Sequence, residues 1–443
     1  MPTSATLIIC PLSTLENWKN EINTHFKTGS LPFKTYYGKE KYTIEFKEIA
    51  QVAVVLATYE SVSMQMKSSQ QVGSSNDGES RKLGLDFSRI KWFRIILDEA
   101  HYMKDPKTSR SSVILGLEAE RRLCLTGTPL QNQLGDLHSL MKFLRIEPWM
   151  ESSIWKTCIE SPVEMCDPRG IATLQTIMNR ISMRRLKTTI LSLPQKHETI
   201  INLELKTPWN EIYERNHQAF SDQFGKNRTS GQGWNSSSFF AELVDLRQLC
   251  NHPALMEKGV GTGKYSWAES SKIVHLMQDL KSFLRSGVQF RAVIFSEFKR
   301  FLEIIEVALN EERICFTTHY GKTENDTRRR NLERFRENPQ CKILLATIKT
   351  AGVGIDVRCA QKVYIMEPTW NPAVEEQAID RLYRIGQQEQ IQVLRYCVTN
   401  SIEGHIFQIK RRKAELAMLS VPLSGNLEFE MVRKLIQDGS VSK

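Results

Sequence analysis

The stretch Arg94-Ile95-Ile96-Leu97-Asp98-Glu99-Ala100-His101 joins a short apolar run to two adjacent carboxylates and a histidine. An apolar run that stops at a turn is how a fully buried strand of a parallel sheet appears in sequence. Carboxylates at the end of such a strand stand at the carboxyl edge of the sheet, where open α/β folds bind their ligands. One of the pair can hold Mg²⁺, directly or through water, while its neighbour orients and deprotonates a water that attacks a phosphoryl group. A plain strand end followed by a helix N-terminus, where acidic residues also gather, would read the same way.

Similar apolar runs recur to either side. The first set covers 6–10, 52–58, 94–97 and 123–126; the second covers 292–296, 314–318, 342–347, 362–366 and 391–397. Amphipathic helical patterns at 15–26, 134–144, 271–284, 298–310 and 328–336 alternate with them. Strands alternating with helices imply βαβ units, hence an α/β class with two parallel-sheet lobes. The expected organisation is a first lobe over 1–146, a helical insertion and linker over 147–267, a second lobe over 268–420, and a C-terminal tail over 421–443. Segments 67–82 and 225–238, rich in small polar residues, read as flexible.

Composition agrees with a folded, multi-lobed chain. The 443 residues are 41% hydrophobic and 25% charged, which excludes a mostly disordered protein. Lys and Arg exceed Asp and Glu to give a net charge of +10, which favours polyanionic partners such as nucleic acid. No apolar run approaches the roughly 18 residues that span a bilayer, so no membrane partner is expected, and 7–12 is too short for a signal peptide. The 9 cysteines are scattered without a CxxC pair. They read as buried free thiols in a reducing compartment. Cys250 and His252 lack a second pair at zinc-finger spacing, so no zinc site is expected.

Downstream of the carboxylates, Leu125 leads into Thr126-Gly127-Thr128-Pro129-Leu130-Gln131-Asn132. Hydroxyls at such a strand end can hydrogen-bond to the carboxylate loop and report whether a γ-phosphate is present; an ordinary Gly-Thr-Pro turn is the alternative.

With these blocks assembled, the chain resembles the Swi/Snf-type helicase-like ATPases of helicase superfamily two. TLIICPLSTLENW (6–18), VLATY (55–59), LDEAH (97–101) and LTGTPLQN (125–132) are similar to motifs Ia, Ib, II and III. AVIFS (292–296), HYGK (319–322), ILLATIK (343–349), GVGID (352–356) and WNPAVEEQAIDRLYRIGQ (370–387) are similar to motifs IV to VI. LRQLCNHP (246–253) resembles a segment that this family carries ahead of its second lobe. The wording around Trp92 to Asp98 looks closest to the branch that contains the helicase-like transcription factor and its fungal relatives. Those larger relatives carry a RING between the lobes; no cysteine/histidine array for one exists in this sequence, so ubiquitin ligation is not implied.

The resemblance implies two RecA-like lobes and an ATP-dependent double-stranded DNA translocase of chromatin-remodelling or DNA-repair type, nuclear, with ATP and Mg²⁺. Double-stranded DNA or nucleosomes would be its partners, together with chromatin or repair proteins. Residue by residue, Asp98 and Glu99 match the metal-binding carboxylates, with Asp98 on Mg²⁺ and Glu99 as the base for water, and His101 matches a coupling residue. Arg381 and Arg384 match the motif VI arginines that approach the γ-phosphate when the cleft closes, a contribution of roughly 10³ to 10⁵ in rate. In isolation, basic residues at that spacing read as an exposed helix face. Thr126, Thr128, Gly352, Gly354, Asp356 and Gln377 fall in nucleotide-binding motifs. Pro11, Leu12, Ser13, Thr58, Tyr59, Thr347, Lys349 and Trp370 are candidates for the DNA backbone, which a motor grips without reading bases. Trp370 reads equally well as a core aromatic.

Some of the family pattern is missing or altered. The Walker A loop, whose backbone amides and lysine cradle phosphates, should precede motif Ia, and the sequence starts almost at motif Ia. Gly263-Lys264 is followed by Tyr265, and Gly321-Lys322 has Phe316 where the upstream glycine belongs, so neither is a P-loop. The first lobe is therefore expected to be N-terminally truncated and the chain alone inactive. It is either a piece of a working ATPase or a shortened paralogue that binds DNA or chromatin without turnover. Ala351 and Asp356 replace the usual Gly and Asn of motif V, and Leu382-Tyr383 the usual Cys-His of motif VI. A methyl at Ala351 clashes if a left-handed backbone is needed there, and Asp356 adds negative charge near phosphate. The run Lys410-Arg411-Arg412-Lys413 reads as a solvated helix face or a nuclear-import signal.

Overall fold

The computed structural model describes residues 1–38, 40–64, 85–103, 108–127, 134–165, 167–183, 193–227, 236–256, 265–285, 290–321, 323, 325–351, 355–384, 386–408 and 410. They fall into two compact units, Met1–Arg184 and Arg185–Ala414. Thr128, Gly352, Gly354, segment 67–82 and residues 411–413 of the basic run lie outside the described residues.

In the first unit, strands β1 (Thr6–Cys10), β2 (Phe33–Tyr36), β3 (Val54–Thr58), β4 (Lys91–Asp98) and β5 (Glu118–Leu125) form one sheet in the order β2-β3-β1-β4-β5. Every pairing is parallel. β1 and β3 are buried along their whole length because helices cover both faces. Leu15 and Ile22 of the helix Leu12–His25 close over Ile8, Cys10, Val54 and Leu56 on one face. On the other, Leu137 and Leu140 of the helix Leu134–Leu144 pack with Leu7, Ile9, Val55, Ile95 and Leu97. Each such leucine contributes about 2 kcal/mol by leaving water.

The second unit repeats the scheme. Strands β6 (Lys196–Leu203), β7 (Ala292–Ser296), β8 (Phe316–His319), β9 (Ile343–Thr347), β10 (Lys362–Ile365) and β11 (Ile391–Val398) are all parallel, in the order β6-β11-β10-β7-β9-β8. Ile273, Leu276 and Leu280 of the helix Ser271–Arg285 and Phe301, Ile305 and Leu309 of the helix Lys299–Glu311 cover one face. Phe335, Ala378, Ile379 and Leu382 belong to the core on the other.

The wiring of the two sheets is the same. Each starts on a central strand (β1 or β7), crosses to an edge (β2 or β8), and returns between the two (β3 or β9). It then continues on the far side (β4, β5 or β10, β11), with β6 added at the second sheet's edge. The α/β class with two RecA-like parallel-sheet lobes is therefore what the chain forms.

Two strands were not legible in the sequence. β2 is only four residues long. β6 lies in the stretch 147–267, where helices and loops were expected; it pairs only with β11 among the described strands and is largely exposed, so its sequence KHETIINL lacks a continuous apolar run. The same stretch also carries the helices Pro168–Ile181, Trp209–Asn227 and Ser236–Asn251. Within the segment expected to be flexible, residues 225–227 close one helix and 236–238 open the next, and 228–235 lie outside the described residues. Among the described residues no helix is long and apolar enough to cross a membrane, and no cluster of three His, Cys, Asp or Glu could hold a metal ion.

Candidate functional site

β4 delivers Asp98, half-buried, to the carboxyl edge of the first sheet. Both carboxylate oxygens are held from within the chain. The Trp18 indole Nε1 donates to Oδ2 at 2.9 Å, and the Glu99 amide donates to Oδ1 at 3.0 Å. The Tyr59 hydroxyl donates to the Asp98 carbonyl at 2.8 Å, and its ring stacks on Tyr102 with centroids 5.3 Å apart. Burial pushes the Asp98 carboxyl above its ordinary range, against the opposing hydrogen bond from Trp18.

Glu99 follows with φ 49°, in the left-handed region that costs a side-chain-bearing residue roughly 1–2 kcal/mol. Strain of this kind collects at functional sites. Its Oε2 lies 3.3 Å from His101 Nδ1, within charge-pair range. The contact lacks hydrogen-bond geometry, because both atoms are buried with no hydrogen-bond partner. Such orphaned atoms cost free energy until a polar ligand or water meets them. Asp98 for a cation and Glu99 with His101 for a water therefore suit a magnesium–nucleotide in the chemistry of their donor set.

The remaining sequence candidates of this unit surround the same edge. Pro11 is buried, Leu12 is exposed, and Ser13 is half-buried with an Oγ that has no hydrogen-bond partner. Thr58 is buried and its hydroxyl donates to Ser61 Oγ at 2.9 Å, so it shapes the turn after β3. Tyr59 is fully buried, its hydroxyl pushed well above its ordinary pKa by desolvation, and it joins β3 to the carboxylate strand. Thr126 is half-buried just beyond β5.

In the second unit the candidates also follow strand ends. Thr347 closes β9, its Oγ1 2.6 Å from Thr350 Oγ1, and Lys349 beside it is exposed. Asp356 is engaged by Arg358, whose Nη2 lies 2.7 Å from Oδ2. Burial opposes ionisation of Asp356, but the hydrogen bonds from Arg358 prevail and hold the carboxyl below its ordinary range. The added charge of Asp356 is thus balanced within the chain. Gln377, on the helix Pro372–Ile379, is half-buried with its Nε2 unpartnered. That helix ends at Ile379, so half-buried Arg381 and exposed Arg384 stand on turns and not on a helix face. Trp370 is half-buried, with the Arg247 guanidinium 5.7 Å from its ring centroid.

A model of the SNF2-related domain matches residues 2–255, more than half of the chain. The chain belongs to the SNF2-related family. Residues 275–386 match the helicase conserved C-terminal domain. Among curated proteins, DNA repair protein RAD5B of Arabidopsis thaliana is 29% identical over 97% of this chain and 41% of its own length. The helicase-like transcription factor of Homo sapiens is 27% identical over 93% of this chain and 50% of its own length. This SNF2-related chain thus spans about half or less of the length of those relatives. A solved Sulfolobus solfataricus SWI2/SNF2 ATPase core in complex with dsDNA is 26% identical over 97% of this chain and 86% of that one, at a TM-score of 0.44. As sequence reading expected, the relatives are SWI/SNF ATPases of helicase superfamily two.

Several residues at the sites of this SNF2-related chain were quoted in sequence without a role. Trp18 sits in motif Ia, and only the fold shows that its indole reaches the carboxylate of β4. Gln387 looks like part of a nucleotide motif, yet it is buried and fixes a loop: its Nε2 donates to the carbonyls of Arg358 at 2.9 Å and Ala360 at 3.1 Å. Arg247 and Asn251 belonged to a recognisable segment whose purpose the sequence did not disclose.

Proposed function

We propose that the chain is the motor core of an ATP-driven translocase on double-stranded DNA, of repair or chromatin-remodelling type and nuclear. The observation that carries this is the Asp98–Glu99–His101 arrangement at the end of β4 in a chain of the SNF2-related family, a family of DNA-dependent ATPases. Asp98 would hold Mg²⁺, which when bound neutralises charge on the phosphate oxygens. Trp18 and the Glu99 amide fix the direction in which the Asp98 carboxylate points. Glu99 accepts the proton of the attacking water, and His101 orients Glu99. Arg381 and Arg384 supply positive charge to the transferring phosphoryl group, with Thr126, Thr128, Gly352, Gly354, Asp356 and Gln377 contributing to nucleotide binding.

Residues near the ends of strands 1 and 3 of each wiring would meet the DNA backbone: Pro11, Leu12, Ser13, Thr58 and Tyr59 in one unit, and Thr347, Lys349 and, beyond β10, Trp370 in the other. Of these, Leu12 and Lys349 are the exposed members, whereas buried Thr58 and Tyr59 would contribute to the contact only by holding the edge in shape. Each turnover changes the grip of the two units on the duplex in turn, which displaces nucleosomes or other bound proteins. The 443 residues contain no GxxxxGK[ST] loop. A second reading is a DNA- or chromatin-binding paralogue without turnover.

Duplex binding and duplex-stimulated ATP hydrolysis of the full chain, measured for the wild type and Glu99→Gln, separate the readings. Equal binding with hydrolysis lost in the variant supports the motor. Hydrolysis unchanged by Glu99→Gln refutes Glu99 as base. Binding without hydrolysis, indifferent to changes at Glu99, Arg381 and Arg384, supports the second reading. Absence of duplex binding refutes both.

A further inference from the structure

LRQLCNHP (246–253) spans the end of the helix Ser236–Asn251. In the fold its polar side chains turn inward: Arg247, Asn251 and His252 are 3%, 1% and 1% exposed. Arg247 and Asn251 are one turn apart on the helix Ser236–Asn251, so they share a face. Arg247 Nη2 donates to Glu297 Oε2 at 2.6 Å and to the Pro368 carbonyl at 2.9 Å. Its guanidinium also lies over the rings of Phe298 (5.2 Å) and Trp370 (5.7 Å). Asn251 Nδ2 donates to Glu367 Oε2 at 3.3 Å, and Lys272 Nζ donates to Asn251 Oδ1 at 2.8 Å. Glu367 in turn accepts from Ser296 Oγ at 2.8 Å and from the Glu297 amide. One helix face thus ties together the residues that follow β7 and β10, two neighbouring strands.

Trp370 leaves this knot half-buried. The backbone before it is fixed on both sides, by Arg247 at Pro368 and by Glu375, whose Oε1 accepts from the Thr369 amide at 2.8 Å and hydroxyl at 3.0 Å. A guanidinium can donate in its plane while it stacks on an aromatic face, a pairing that a lysine ammonium cannot reproduce. We propose that Arg247 is a positioning residue that sets the pose of the Trp370 indole for contact with duplex DNA. LRQLCNHP would then be the device by which the helix between β6 and β7 controls the DNA grip. This rests on the reading of Trp370 as a DNA contact.

The test is the affinity of the full chain for a fluorescently labelled duplex, read by anisotropy. The variants are Trp370→Ala, Arg247→Ala, Arg247→Lys and both changes together, with unfolding midpoints recorded alongside. Trp370→Ala should weaken binding about tenfold, and each Arg247 variant by a similar factor, as expected when a stacked ring loses its place. Combined with Trp370→Ala, either Arg247 change should add little, because coupled residues do not lose energy additively. A merely destabilising change would instead multiply with Trp370→Ala to about a hundredfold loss, and that result overturns the inference. So does an Arg247→Lys protein that binds like the wild type. If Arg247→Ala fails to fold, Arg247→Lys, which keeps the charge beside Glu297, carries the cycle alone. A Trp370→Ala protein with wild-type affinity removes the DNA contact itself, and the inference with it.

Discussion

Lys272→Met should lower the stability of the second unit by about 3–5 kcal/mol. Lys272 and Glu403 are both 0% exposed, with Nζ 2.6 Å from Oε1. Nζ also donates to Asn251 Oδ1 at 2.8 Å, and Glu403 Oε2 accepts from the Val398 amide at 2.9 Å. Removing the ammonium leaves a buried carboxylate with a single amide donor to offset its desolvation, the situation in which breaking a buried pair is most destabilising. For a unit of this size each kcal/mol shifts the midpoint by roughly 2–4 °C, so a fall of about 10 °C is expected. Lys272→Met combined with Glu403→Gln removes both charges and keeps a carbonyl for Val398. Only Asn251 Oδ1 then loses its partner, about 1–2 kcal/mol, so the double variant should recover roughly one third to four fifths of the loss. Urea unfolding followed by circular dichroism measures all three proteins. A cost below about 1 kcal/mol for Lys272→Met, or a double variant no better than the single, would refute the view that the uncompensated charge dominates.

Other expected outcomes are as direct. Trp18→Phe removes a donor to the Asp98 carboxylate at 2.9 Å and should cost the first unit roughly 1.5–3 kcal/mol by denaturant unfolding; no measurable change would mean that the indole does not hold the carboxylate in solution. The carboxyl of Glu367 is pushed up from 4.5 to about 7 by burial, against the pull of Lys272, the Glu297 amide, Ser296 and Arg247. The folded chain therefore keeps a proton that the unfolded chain releases, so stability is greatest below pH 4.5 as far as this group is concerned and declines until about pH 7. Its full effect is on the order of 3 kcal/mol. Glu367→Gln should flatten that part of the stability–pH profile, and an unchanged slope would count against the buried-proton assignment. Gly386 has φ +96°, and a Cβ there would meet Arg358 Nη1 at 2.7 Å. Gly386→Ala should cost about 1–2 kcal/mol and loosen Arg358 from Asp356; unaltered unfolding would show that the loop yields without strain.

Most of the fold was legible because central parallel strands must be apolar throughout. β1 and β7 read at their observed bounds, and β4 was visible from Arg94 to Leu97, with Lys91 to Phe93 and Asp98 added by pairing. β6 escaped because an edge strand that is largely exposed needs no apolar run. The carboxylates of β4 were legible for the same reason as the strand: they end it. What holds them was not, since Trp18 and Tyr59 come to Asp98 from residues 80 and 39 positions away, and spacing along the chain gives no hint of that meeting. Arg381 and Arg384, three residues apart, read in isolation as one helix face, whereas the chain leaves the helix at Ile379.

The shared wiring also governs the order in which each sheet can be completed during synthesis. In the first unit β1, buried along its whole length, emerges well before the strands it pairs with: Thr6 pairs with Val54 and Arg94. Both of its edges are open until β3 emerges and one remains open until β4 does, and non-local parallel pairing is slow and prone to aggregation. β7 faces the same delay, since Ala292 awaits Ile343 and Lys362. β6 waits longest of all, from Lys196 to Ile391, but its polar and exposed side chains make that wait harmless. The nascent chain is therefore most in need of chaperone cover between the emergence of β1 and β4, and again between β7 and β10.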